Sequence, residues 1–167
     1  MIFLTGFMGS GKTTVGEDLA HRTGAPFVDL DEVIARKSGT SIADIFRCAG
    51  EEAFRALEDT ALKETAAQGG PSCIVATGGG LPVSPLNRKL MKSCGSIVYL
   101  KSSFENLELR IAQDGSRPLW NSGARDLLKK RIPAYEDADL AVDIDGRTAQ
   151  DIAHEIVKAL PGLPRPV

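Results

Sequence analysis

The sequence predicts an α/β domain built on a parallel sheet with helices on both faces. Short apolar runs alternate with longer amphipathic stretches along the whole chain, the pattern left by strands joined through crossover helices. Three unusual stretches, Gly6 to Thr13, Asp29 to Asp31 and Gly78 to Gly80, each follow the end of a predicted strand. That is the edge at which ligands settle in open parallel sheets. A chain of 167 residues is sized for one domain over residues 1–167 with one substantial core.

The elements follow in order. Ile2-Phe3-Leu4-Thr5 reads as a buried strand ended by Gly6. A helix from Lys12 to His21 sets Val15, Leu19 and Ala20 on one face, and Gly24 and Pro26 stop it. Phe27-Val28-Asp29 is a second strand, and Asp31 to Lys37 a helix broken at Gly39. Ser41 to Asp44 opens the next helix with a capping-box pattern in which Asp takes the usual Glu or Gln position. Glu51 to Ala67 continues it, with Phe54, Leu57, Ala61 and Leu62 predicted to face the core. Ser72 to Ala76 is a third strand, Asn87 to Ser93 a short helix, Ser96 to Leu100 a fourth strand and Phe104 to Ala112 a helix. Gln113 to Ala124 holds Gly, Pro, Asn and Ser and reads as a loop. Arg125 to Tyr135 is helical, with Pro133 marking a kink or an end. Leu140 to Asp143 is the fifth strand and Thr148 to Leu160 the last helix. The Pro-rich stretch 161–167 is expected to be frayed.

Composition narrows the function classes. With 43% hydrophobic and 25% charged residues and a formal charge of -2, nothing gives the overall basic field that nucleic acid attracts. No run is long enough to cross a membrane, and the apolar N-terminus lacks the basic and long apolar regions of a signal peptide. Cys48, Cys73 and Cys94 match no zinc or CxxC spacing, so reduced thiols in a cytoplasmic protein are expected. His21 and His154 stand in helical stretches without partner motifs and read as surface or structural residues.

Gly6-Phe7-Met8-Gly9-Ser10-Gly11-Lys12-Thr13 matches the pattern GxxxxGK[ST] between a strand and a helix, the context this phosphate-binding loop requires. Glycines let the backbone wrap a polyphosphate with N–H groups pointing inward, and the helix adds its positive end. Lys12 is expected to reach the β- and γ-phosphates and Thr13 to offer its hydroxyl to Mg²⁺. Ordinary residue frequencies give a chance match in roughly one chain in two hundred. The loop names a nucleotide but not a second substrate.

Other residues speak to that substrate. A carboxylate at Asp29 or Asp31 can hold Mg²⁺ through water, or accept a proton from an attacking hydroxyl, and can also cap the next helix. Arg55 falls at the edge of the Phe54 face, where Glu58 three residues on can orient it. Gly78-Gly79-Gly80 opens the backbone to close approach by a ligand. Arg117, in the loop from Gln113 to Ala124, suits a lid closing over phosphates, with Trp120 packed beneath it.

Together these residues resemble the shikimate kinases, small P-loop kinases related to the nucleoside monophosphate kinases. The resemblance runs from Ile2 to about Leu160 and its pieces come in the family's order: GFMGSGKTTVG at Gly6 to Gly16, DLD at Asp29 to Asp31, SIADIF at Ser41 to Phe46, GEEAFRALE at Gly50 to Glu58, TGGG at Thr77 to Gly80, RPL at Arg117 to Leu119 and RIPAY at Arg131 to Tyr135. It implies a three-layer α/β/α fold, a five-stranded parallel sheet of order 2-3-1-4-5 and a lid at about 113–124. It implies transfer of a phosphoryl group from ATP to the 3-hydroxyl of shikimate on the way to chorismate and aromatic amino acids, with Mg²⁺ as cofactor. ATP would be held by Gly9, Ser10, Gly11, Lys12, Thr13, Thr14, Arg110, Arg117 and Arg147, the arginines at 110 and 147 flanking adenine. Shikimate would be held by Asp31, Arg55, Gly78, Gly79, Gly80 and Arg131, with Arg55 and Arg131 clamping its carboxylate. Catalysis would fall to Lys12, Asp31 and Arg117. Metal would be held by Thr13 and, through water, by Asp29 and Asp31. The expected partners are these small molecules alone, and a monomer suffices. Two other readings stay open on the residues themselves: a kinase for another small hydroxy acid such as gluconate, and a nucleotide-binding regulator without catalysis.

If Gln113 to Ala124 is a lid, saturating the protein with both substrates will change the emission of Trp120, the single tryptophan. An unchanged spectrum at saturation would count against the lid, or against Trp120 as its reporter.

Overall fold

The structure is a computed structural model describing residues 1–114 and 122–160. Five strands, β1 (Ile2–Thr5), β2 (Phe27–Asp29), β3 (Ile74–Ala76), β4 (Ser96–Lys101) and β5 (Leu140–Asp143), form one sheet of order β2-β3-β1-β4-β5. Every pairing is parallel. This is the order and direction the resemblance implied.

Alternation along the central strands splits the core between the two faces. Ile2, Leu4, Ile74, Val98 and Leu100 pack on one side against Val15 and Leu19 of α1 (Lys12–Thr23) and Ile152 and Ile156 of α7 (Ala149–Ala159). Phe3, Val75 and Ile97 point the other way. They meet Leu30 and Ile34 of α2 (Leu30–Ser38), Phe54 and Leu62 of α3 (Ile42–Gln68) and Met91 of α4 (Pro85–Cys94). A third cluster of Phe7, Tyr99, Leu107, Leu128 and Tyr135 joins the phosphate-loop side of β4 to α5 (Phe104–Asp114) and α6 (Ala124–Glu136).

Helix starts are set by short polar side chains. Ser41, Ser84 and Thr148 each accept a hydrogen bond from the backbone N–H three residues on, relieving one of the open donors of a first turn. The start of α3 follows the expected Ser–Asp pattern: the Ser41 hydroxyl also donates to Asp44 Oδ2 at 2.7 Å.

Two local readings need correction, the inward place of Leu57 and the bounds of the loop after α5. The helix opening at Ile42 continues to Gln68 as expected, bent at Gly50 by a φ of 82° and a ψ of 177°. Leu57 is 37% exposed instead of facing the core, and Glu58 takes the inward position with 1% exposure. Pro133 lies inside α6, which runs on to Glu136, so of the two readings it is not an end; its ring costs one backbone hydrogen bond, which packing of Leu128 and Tyr135 outweighs. The expected loop from Gln113 starts later, because α5 extends to Asp114, and α6 already begins at Ala124. The rest of that predicted lid, with Arg117 and Trp120, lies outside the described residues, as does the stretch 161–167. His21 and His154 are exposed, as the sequence suggested.

The bend at Gly50 carries Phe46 back onto Phe54, with ring centroids 4.7 Å apart, and the second half of α3 starts with Arg55 and Glu58 at the cleft. Its backbone angles suit almost only glycine. Replacing Gly50 by Ala, with open space around the new methyl, should cost about 1–3 kcal/mol of backbone strain. A urea midpoint unchanged from wild type would show that the bend is not strained.

Candidate active site

A cleft of about 210 Å³ opens at the carboxyl edge of the sheet, between the phosphate loop, the start of α2, the bent α3 and the glycine run after β3. The two glycine stretches are neighbours because β1 and β3 pair directly, Leu4 beside Ala76. Thr77 completes the junction: its N–H and its hydroxyl both donate to the Leu4 carbonyl, at 3.1 and 3.0 Å.

On the nucleotide wall, Gly9 and Gly11 have φ of 81° and 78°, the left-handed region that L side chains resist. Gly11 caps α1 directly, so the loop's N–H groups and the helix's positive end face one point. Lys12 Nζ lies over the loop and donates to the Gly6 and Phe7 carbonyls at 3.0 Å each. Thr13 donates its hydroxyl to Asp29 Oδ2 at 2.7 Å, while Asp29 Oδ1 accepts from the Asp31 N–H at 2.9 Å. Asp29 is therefore both the cap of α2 and the partner of the loop threonine. Beyond the loop, Arg110 is half-buried beside Gly11 and donates to the Ile144 carbonyl at 3.4 Å. Arg147 donates to the Asp143 carbonyl at 2.9 Å and pairs with Glu155 at 2.7 Å.

The other wall brings Asp31, Arg55, Gly78, Gly79, Gly80 and Arg131 together around the glycine run. A methyl placed on Gly80 would overlap the Arg55 guanidinium. One on Gly78 would overlap the Glu58 carboxylate and come to 3.2 Å from Asp31, and one on Gly79 would sit 3.6 Å from Arg131. Small residues are needed here because charged groups crowd the backbone. Arg55 is held from its own helix: Glu58 pairs with one guanidinium nitrogen and Glu51 with the other at 2.7 Å. Arg131 is 6% exposed, its guanidinium carbon 5.8 Å from the Phe7 ring centroid, a distance at which a cation is drawn to the ring face.

Glu58 is the residue whose weight the sequence understated. It was legible as an i+3 partner of Arg55, but a glutamate beside exposed residues does not announce burial. Burial pushes its carboxyl up to about 7 from an ordinary value near 4.5, Arg55 opposing and Asp31 adding to the rise. Among the described residues its Oε1 has no hydrogen-bond partner. Among the same residues, no group of three or more His, Cys, Asp and Glu gathers as a metal site.

The raised carboxyl has a signed consequence. Between about pH 4.5 and 7 the folded state binds more protons at Glu58 than the unfolded chain. Stability from this group is therefore full below pH 4.5 and declines as pH rises to 7, by on the order of 1–3 kcal/mol. Urea unfolding across pH 5 to 8 should show that decline in the wild type and lack it in Glu58→Gln. Parallel profiles for the two would remove Glu58 as its source.

Comparison with known proteins places this architecture. A sequence model described as shikimate kinase matches residues 8–161. A shikimate kinase of Geobacter sulfurreducens is 42% identical over 160 residues, covering 93% of this chain and 87% of that protein. The solved shikimate kinase from Acinetobacter baumannii in complex with shikimate superposes with a TM-score of 0.88 at 38% identity, covering 95% of this chain and 90% of that one. The shikimate kinase from Aquifex aeolicus gives 0.85 at 34% identity, covering 96% of both. On a family model spanning residues 8–161 and relatives about 40% identical over nearly the whole chain, the chain belongs to the shikimate kinase family of ATP-dependent kinases.

Proposed function

We propose that this chain transfers the terminal phosphoryl group of ATP to the 3-hydroxyl of shikimate, acting as a monomer. The observation that carries the reading is the convergence of two arginines, Arg55 and Arg131, and the carboxylate Asp31 on one glycine run, facing a phosphate loop across a single cleft. A planar carboxylate suits a pair of guanidinium groups, and Asp31 on the same wall suits a hydroxyl. The relative from Acinetobacter baumannii was solved in complex with shikimate, which supports assigning the same acceptor here.

The residues divide the work. Arg55, Arg131 and the N–H groups of Gly78 to Gly80 orient the acceptor, and Asp31 directs its hydroxyl at the γ-phosphorus and takes its proton. Gly9, Ser10, Gly11, Lys12, Thr13 and Thr14 hold the phosphates, and Lys12 neutralises charge as the phosphoryl group moves. Arg110 and Arg147, near the exit of β5, flank adenine. Arg117 completes the charge from the lid.

The oxygen donors fit magnesium. Thr13 hydroxyl and Asp29 Oδ2 already lie 2.7 Å apart at the mouth of the loop, and Mg²⁺ takes one or two such protein oxygens beside phosphates and water. Thr13 would hold it directly, Asp29 and Asp31 through water, and the ion would supply neutralising charge to the phosphates.

The test is ADP release with MgATP across shikimate, gluconate and other small hydroxy acids. Turnover with shikimate well above the rest is expected. Clear turnover with another acid and none with shikimate would overturn the acceptor, and ATP binding without transfer to any acid would make the chain a nucleotide-binding regulator. In the same assay Arg131→Ala should raise KM for shikimate about 100-fold, the cost of losing a buried charged contact, with ATP affinity nearly intact. Equal loss for ATP would remove Arg131 from the acceptor wall.

A further inference from the structure

Tyr135 stands one helical turn after Arg131 on α6 and shares its inward face. Its side chain is fully buried and stacked on Tyr99, with ring centroids 5.2 Å apart and planes 27° from parallel. The hydroxyl donates to the carbonyl oxygen of Gly79 at 2.5 Å. That contact joins α6 to the one stretch of the acceptor wall that has no side chains of its own.

A peptide unit is planar, so holding the Gly79 carbonyl also fixes the Gly80 N–H, which points the opposite way in the same plane. Glycine gives that plane little restraint, since its backbone moves easily between regions closed to other residues. Gly79 and Gly80 both line the cleft, and among the described residues the N–H of neither donates to a backbone carbonyl. Burial pushes the phenol above its ordinary range, opposed by the Arg131 guanidinium, which also donates a hydrogen bond to the hydroxyl, so the neutral phenol joins Arg131 to the Gly79 carbonyl.

We infer that Tyr135 is a positioning residue for the acceptor: by holding the Gly79 carbonyl it fixes the Gly79–Gly80 peptide so that the Gly80 N–H is offered to the acceptor, and it ties the helix bearing Arg131 to that same peptide. The inference rests on the acceptor reading above. It makes the glycine run a preorganised donor rather than a pliable turn, with the restraint supplied from a different element.

Tyr135→Phe keeps the ring and its stacking and removes only the hydroxyl. Tyr99→Phe removes a hydroxyl from the same cluster without touching Gly79, and serves as the control. In steady-state assays with each substrate varied in turn, Tyr135→Phe should raise KM for shikimate about tenfold, the loss of roughly one hydrogen bond's worth of positioning. KM for ATP should stay within twofold, and Tyr99→Phe should match wild type for both. KM does not depend on the folded fraction, so a less stable Tyr135→Phe still gives the reading. The inference falls if KM for shikimate stays within twofold of wild type, if KM for ATP rises equally, if Tyr99→Phe produces the same rise, or if Tyr135→Phe adds nothing in an Arg131→Ala background, the result expected of a hydroxyl acting only through Arg131. The wild type run alongside keeps the two claims apart: if it phosphorylates a different acid, the acceptor reading falls, and the same two variants assayed with that acid decide the role of Tyr135.

Discussion

The parallel register of β1 against β3 is the constraint on which the site depends. Leu4 lies beside Ala76, and the Leu4 carbonyl takes both the N–H and the hydroxyl of Thr77. Because of that register, a loop able to wrap phosphates and a run of glycines able to approach an acceptor leave the sheet at one level, on adjacent strands. A slip of one residue would turn Phe3 and Leu4 to each other's faces and break both halves of the core. The strength of the apolar split on the two faces therefore also secures the spacing between the phosphate loop and the glycine run.

Charge at this edge is managed by local pairing rather than by the net field. The whole chain is slightly acidic, yet a phosphate-binding end sits beside two arginines. Lys12 is held over the loop, Arg55 by Glu51 and Glu58, Arg131 against Phe7. Each cation is fixed by groups from its own element or the loop beside it. Pairing of this kind holds Arg55 and Arg131 in place before an anion arrives, the condition under which fixed charges do the most for phosphoryl transfer.

Much of this was legible in the sequence, for identifiable reasons. Strands such as Ile2–Thr5 and Phe27–Asp29 fell where expected because β-branched and aromatic runs end at glycine or at an aspartate that caps a helix. The phosphate loop was plain because its chemistry needs fixed residues at fixed spacing. What failed were judgements that depend on partners distant in the chain. Leu57 and Glu58 are adjacent, and periodicity alone favours the leucine inward; the presence of Arg55 and the glycine run at Gly78 reverses them. Pro133 reads as a kink or an end, and packing of α6 excludes the end. Tyr135 looked like the tail of a motif, because its contact with Gly79 spans 56 positions and leaves no local trace.

The buried Glu58 has a further consequence for how acceptor preference can change. It is tolerated inside the fold because Arg55 lies against it. If Arg55 holds the acceptor as proposed, substituting it alone is the obvious route to an acceptor without a carboxylate, yet it would strand an ionisable group in the interior at a cost of about 3–5 kcal/mol, a large share of a small domain's stability. Changing both together to apolar residues of similar volume removes that penalty. Divergence toward neutral acceptors is thus constrained to pass through paired replacement, and the two positions are expected to drift as a unit across descendants of this fold.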